Sequence, residues 1–240
     1  GYLSPGGPDE IINIIGELDL TDKQVLDIGC GTGGINIFLA ETFAPAQIIG
    51  IDVDAGLIAR ATTRTEENNF AGRLKFECVV PGPLPFEDDT FDVVFSKDAM
   101  VHIGDKETLF EEIYRVLRPN GNIAISDWMC HNDEPFSPEM AYYVETEGLG
   151  FGLASAARYR NAMTAAGFTD IRLTDRNAWY RDLIAQEHDA LSGSLYDELV
   201  DRLGQKLVDH EIEVWRALKI VVDSGELRPG HLHAHKPANI

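Results

Sequence analysis

Val25-Leu26-Asp27-Ile28-Gly29-Cys30-Gly31-Thr32-Gly33-Gly34 runs from an apolar strand through a glycine-rich turn into the start of a helix, Gly33 to Thr42. Glycines let a backbone adopt positive φ and approach a ligand closely, and a helix start offers unpaired N–H groups. A glycine loop alone fits a structural turn or a dinucleotide site equally well. Asp27, two residues before the first glycine, favours a ligand with a cationic end and would repel a pyrophosphate. Asp52 closes the next strand, Gln47 to Asp52, at about the spacing where a carboxylate meets ribose hydroxyls. Together these features predict a nucleoside site.

Outward from that loop the pattern alternates. Helix Ala55 to Asn68, strand Leu74 to Cys78, strand Phe91 to Ser96, helix Lys106 to Leu117 and strand Asn122 to Asp127 follow in order. Nearly continuous apolar strands between helices predict an α/β fold, with a doubly wound, mostly parallel seven-stranded sheet covered on both faces. Arg118-Pro119-Asn120-Gly121 reads as a stop and turn. Before the loop, Pro5-Gly6-Gly7-Pro8 is a turn, with Asp9 capping a helix over Ile11 to Leu18. After Trp128 the alternation breaks. Helix Ala156 to Ala166 and strand Ile171 to Thr174 resume it, Trp179 to Val222 is mostly helical, and Gly230 to His235 is a last strand. The chain is therefore expected to be one domain, with lid insertions at residues 129–155 and 179–224.

Composition narrows the partners. Forty acidic against 20 basic residues give a net charge of -20, a field that repels phosphate backbones and anionic lipid. Nucleic acid and membrane are not expected partners; a small molecule is. Cys30, Cys78 and Cys130 are an odd set without Cys-x-x-Cys spacing, which points to a reducing, cytoplasmic setting. No apolar run approaches the roughly 20 residues a bilayer requires, and no basic-then-apolar leader is present. Monomer and homodimer both remain open.

The Val-Leu-Asp-Ile-Gly-Cys-Gly-Thr-Gly signature, with Pro85 to Asp92 and Val116 to Gly121, resembles the class I S-adenosylmethionine (SAM)-dependent methyltransferases over nearly the whole chain. A narrower resemblance joins Tyr2 to Gly7, Ser96 to His102 and Gly225 to Gly230 to phosphoethanolamine N-methyltransferases and sarcosine/dimethylglycine N-methyltransferases. It implies a Rossmann-like SAM methyltransferase fold, SAM as cofactor and no metal. The first segment would close over the methionine end of SAM, placing Leu3 and Ser4 there. The expected cofactor set adds Asp27, Gly29, Cys30, Gly31, Asp52, Val53, Val80 (by its backbone), Ser96 and Lys97. Asp98 and His102 match the positions that hold the amine and deprotonate it. The phosphobase enzymes clamp phosphate with an Arg soon after a Tyr and a Lys three residues after a Trp. Here Glu145 and Glu147 follow Tyr143, and Leu218 follows Trp215, so phosphoethanolamine itself fits poorly.

The chemistry agrees with a base at this point. An aliphatic amine with a pKa near 10 holds its proton at neutral pH, and removing it costs about 4 kcal/mol. An imidazole is the suitable acceptor, and Asp98 would orient His102 four residues later if the segment is helical. Trp128, Tyr142, Tyr143, Phe151, Trp179 and Tyr180 fall in or beside the lid and are candidates to line a cationic amine. His231, His233 and His235 alternate on one strand face, yet no fourth metal ligand is apparent. The expected reaction is methyl transfer to the nitrogen of a small amine of glycine/betaine or ethanolamine type. Alternatives are C-, O- or S-methylation of a small, quinone-type metabolite, and SAM binding without catalysis.

Overall fold

In a computed structural model, residues 4–68, 70 and 72–238 are described. Seven strands among them form one sheet in the order β3-β2-β1-β4-β5-β7-β6. These are β1 (Gln24–Ile28), β2 (Gln47–Asp52), β3 (Leu74–Cys78), β4 (Phe91–Lys97), β5 (Leu117–Cys130), β6 (Thr169–Asp175) and β7 (Leu227–His235). The expected mostly parallel sheet is present. β7 alone runs against its neighbours, inserted between β5 and β6.

Side-chain alternation explains the two covered faces. Leu26, Val94, Ile123 and Ile125 point into a core with α4 (Lys106–Val116) and α6 (Ala156–Ala166). Val25, Val93, Phe95 and Ala124 point the other way, against α1 (Gly7–Ile15) and α2 (Gly34–Phe43). A third cluster lies beyond the sheet, where Met140 and Tyr143 of α5 (Pro138–Glu147) meet α7 (Asn177–Ser192) and α9 (Gln205–Asp223). The short α8 (Tyr196–Leu203) joins those last two helices, and α3 (Ala55–Glu67) follows β2.

Two local expectations change. Arg118 to Gly121 do not separate helix from strand: β5 begins at Leu117, opposite Phe91, and its register then jumps so that Val93 faces Asn122. Asn120 takes the strain at φ 66°, and its N–H reaches Lys236 O at 2.8 Å. The first helix is entered through Gly6 at φ 87° with Pro8 in its first turn, so Asp9 is already helical and does not cap it.

Glu10, next along, is buried and receives Arg176 through both oxygens (3.0 and 2.6 Å) and His231 Nε2 at 2.7 Å. The three alternating histidines are thereby each engaged: His233 Nε2 donates to Ile14 O at 2.7 Å, and His235 Nδ1 lies 3.2 Å from Asn122 Oδ1. They fasten β7 to α1 and to β5.

Burial alone would raise the Glu10 pKa, but hydrogen bonds from His231, Arg176 and Asn13 outweigh it and hold the carboxyl at about 2 against an ordinary 4.5. Between those values the unfolded chain binds the extra proton, so this contribution is complete above pH 4.5 and is lost as pH falls through about 2. It amounts to about 3 kcal/mol. Denaturant unfolding of wild type and Glu10→Gln across pH 7 to 2 is expected to give stability curves that converge in that acidic window. Parallel curves would show that the Glu10 carboxylate is not held this way.

Candidate active site

A cavity of about 750 Å³ opens where the ends of β1, β2 and β4 face the α5, α7 and α9 cluster. The glycine loop forms its floor. Gly29 and Cys30 both donate N–H to Ile51 O, at 2.8 and 3.0 Å, which lashes the loop to β2. Gly29 sits at φ 80°, and a Cβ there would stand 2.1 Å from Ala99 Cβ, so only glycine fits. Asp52 lines the cavity and accepts the Gly31 N–H at 2.9 Å and the Asp54 N–H at 3.0 Å. Its carboxylate is thus fixed in place beside the loop.

Asp27 lies deeper than expected. It is 2% exposed and accepts Asn36 Nδ2 at 2.8 Å beneath the loop, outside the cavity lining. Burial, with the charge of Asp52 adding to it, lifts its pKa to about 7 despite the Asn36 hydrogen bond. Ser96 is also below the surface, its Oγ donating to Ile28 O at 2.7 Å. Val53 and Val80 are exposed and stand outside the lining, because the chain turns out to solvent past the ends of β2 and β3. Ile35 and Leu57 line that side instead.

At the end of β4, Lys97 Nζ reaches Ser4 Oγ and Pro5 O, both at 2.9 Å, and Asp98 Oδ2 at 2.7 Å. This draws the N-terminal segment over the cavity and neutralises the ammonium within the site. Ser4 lines the cavity as expected; Leu3 lies outside the described residues. Asp98 also accepts Ser126 Oγ at 2.9 Å.

The expected Asp98 to His102 bond is not formed. Asp98 has φ 57°, and Met100–His102 is a single 3-10 turn, so residues four apart are not stacked as on an α-helix. His102 is oriented by the main chain: Nδ1 lies 2.8 Å from Gly150 O, and the ring stacks on Phe151 at 5.5 Å. A carbonyl only accepts, so Nδ1 carries the proton and Nε2 of the neutral ring is free to take one. Beneath the turn, buried Lys106 donates to Met100 O (2.7 Å) and Ile103 O (2.6 Å), while Asp127 accepts the Val101 N–H at 2.9 Å and the Tyr159 hydroxyl.

Of the expected aromatic wall, Trp128, Tyr143, Phe151 and Tyr180 line the cavity, with Trp128 edge-on to Tyr180 at 4.7 Å. Tyr142 points outward and donates to Glu213 at 2.6 Å. Trp179 is taken by Arg176, whose guanidinium lies 4.7 Å over its ring. Among the lining residues that the sequence did not single out are the polar and aromatic Glu147, Glu187 and Trp215. Helical spacing carried the signal for the first two, since Glu147 is four residues past Tyr143 and Glu187 seven past Tyr180.

A methyltransferase domain model matches residues 20–161, more than half of the sequence. The chain belongs to the methyltransferase domain family. Among relatives of this methyltransferase, phosphoethanolamine N-methyltransferase 3 of Arabidopsis thaliana is 29% identical over 231 residues, covering 96% of the chain and 46% of the relative. The chain spans about half the length of the first curated relatives it matches. Phosphoethanolamine N-methyltransferase 2 of Haemonchus contortus, solved with phosphomonomethylethanolamine and S-adenosylhomocysteine, superposes with a TM-score of 0.88 at 24% identity, covering 98% of this chain and 55% of that one. A Galdieria sulphuraria protein assigned as a sarcosine dimethylglycine methyltransferase gives 0.81 at 21% identity, over 97% and 84% of the two chains. These superpositions establish the shared fold of the methyltransferase domain. Among its described residues, no helix is long and apolar enough to cross a membrane.

Proposed function

We propose that this methyltransferase domain transfers a methyl group from SAM to the nitrogen of a small amine. The carrying observation is His102, whose Nδ1 is committed to Gly150 O and whose ring lines the same cavity as the glycine loop and Asp52. The residues fit the cofactor: Asp52 is a fixed carboxylate for ribose hydroxyls, the glycine loop permits close approach, and about 750 Å³ accommodates a nucleoside with a small acceptor. SAM supplies a methyl group on a sulfonium, and its transfer to nitrogen breaks a C–S bond, forms a C–N bond and leaves S-adenosylhomocysteine. Asp98 holds the acceptor ammonium, and His102 Nε2 takes its proton. Trp128, Tyr143, Phe151 and Tyr180 exclude water around the acceptor, and α5 with α7 to α9 serves as the lid. The three thiols, none of them in a disulfide, suit a cytoplasmic setting.

The test is a panel of amines, thiols, phenols and quinols incubated with SAM and the purified chain, read as S-adenosylhomocysteine formed. Turnover of amines is expected. Turnover of phenols, quinols or thiols alone would overturn the nitrogen assignment, and saturable SAM binding without turnover of any acceptor would overturn catalysis.

A further inference from the structure

The cavity wall built from α5 and α7 combines carboxylates that lack an ion-pair partner with phenols whose hydroxyls lack a hydrogen-bond partner among the described residues. Tyr143 and Tyr180 are only 6% and 2% exposed, both line the cavity, and neither hydroxyl has a hydrogen-bond partner among the described residues. Their hydroxyl oxygens open onto the cavity and are not sealed in protein, so a ligand there can supply the partner. Glu147 and Glu187 line the same wall, half-buried. Glu187 accepts only a 3.3 Å hydrogen bond from Trp215 Nε1, and Glu147 has no ion-pair partner among the described residues. Glu147, Glu187, Tyr143, Tyr180 and Asp98 all line this one cavity.

The cations of the cavity do not balance them. Lys97 is spent on Asp98, Ser4 and Pro5, no arginine lines the space, and His102 is neutral when it acts as base. A phosphate or carboxylate on the acceptor would find no cation there and two carboxylates nearby. A second ammonium would find carboxylates, two hydroxyls as acceptors, and the faces of Trp128 and Trp215.

We propose that the acceptor is a small dication without an anionic group, of which an aliphatic diamine is the simplest member. One nitrogen is presented to Asp98 and His102, and the other is held by Glu147, Glu187, Tyr143 and Tyr180. This rests on the N-methylation reading above and adds the substrate class.

The full chain is assayed with SAM and three- to five-carbon diamines, phosphoethanolamine and sarcosine; calorimetry follows each amine onto protein loaded with S-adenosylhomocysteine. The best diamine is expected to exceed both anionic acceptors in kcat/KM by about tenfold or more, the discrimination expected of a desolvated charge contact. In a Glu147→Gln/Glu187→Gln variant, KM for the diamine rises by about the same factor while kcat changes little. Equal or better turnover of phosphoethanolamine or sarcosine overturns the dication assignment and leaves N-methylation standing. No turnover of any amine removes both. A variant that retains S-adenosylhomocysteine binding and wild-type KM for the diamine overturns the roles of Glu147 and Glu187, and if the variant does not fold, the wild-type panel still decides the class.

Discussion

With His102 replaced by alanine, kcat for amine methylation is expected to fall about 10²- to 10⁴-fold at pH 7, with affinity for S-adenosylhomocysteine unchanged. The reasoning begins with the acceptor: at neutral pH about one aliphatic amine in a thousand is deprotonated, and only that form has a lone pair to offer. On the proposed reading His102 would shift this balance within the complex, because Gly150 O fixes the tautomer that leaves Nε2 bare. A purely structural role makes a different forecast. His102→Gln can still donate to Gly150 O but is no base, so it should be as slow as the alanine variant. In both variants kcat/KM should climb about tenfold per pH unit toward the pKa of the amine, where the solvent has done the work of the imidazole. Rates measured from pH 6.5 to 10 would check this. A variant whose deficit is flat across that range would remove His102 as the base.

Much of this site was legible because its signals are local. The strand, glycines and helix of β1 to α2 lie within twenty residues, and alternation of Leu26 with Val25, or Val94 with Val93, is enough to demand two covered faces. The same locality misled where backbone geometry departs from the regular. Four residues from Asp98 to His102 suggest a helix pair, but a left-handed Asp98 followed by a 3-10 turn sends the two side chains to different partners. Histidines 231, 233 and 235 do share a strand, yet what they meet is α1, more than 200 residues earlier for His231 and His233, and Asn122 of β5 for His235. Glu147, Glu187 and Trp215 come from three helices whose mutual packing no single segment reveals. The missed residues are those whose placement in the cavity depends on that packing.

The turn that carries His102 rests on a charged platform, and removing Lys106 tests how much the site depends on it. Lys106 is fully buried, its ammonium shared between Met100 O and Ile103 O on either side of that turn. Lys106→Met is expected to lower stability by about 3–5 kcal/mol, since it leaves the buried Asp127 without the Lys106 charge and takes a donor from Ile103 O and from Met100 O, which keeps only the Ile103 N–H. In a chain of this size that is a fall of about 10 °C in Tm. The pH dependence has a definite sign. Burial pushes the Asp127 pKa up to about 7 against an ordinary 3.8, although the Lys106 charge and the Tyr159 hydroxyl pull it down. A raised carboxyl favours the fold most when protonated, so its contribution is present below about 3.8 and is lost as pH rises through about 7. Without Lys106 the ionised form is worse still, so the deficit of the variant should grow between pH 5 and pH 8. Adding Asp127→Asn should recover part of the loss, because the stranded charge is then gone. Calorimetric Tm and denaturant midpoints at the two pH values measure all three. A deficit below about 1 kcal/mol would put Lys106 in the range of an ordinary surface ion pair and remove the platform as the support of the turn.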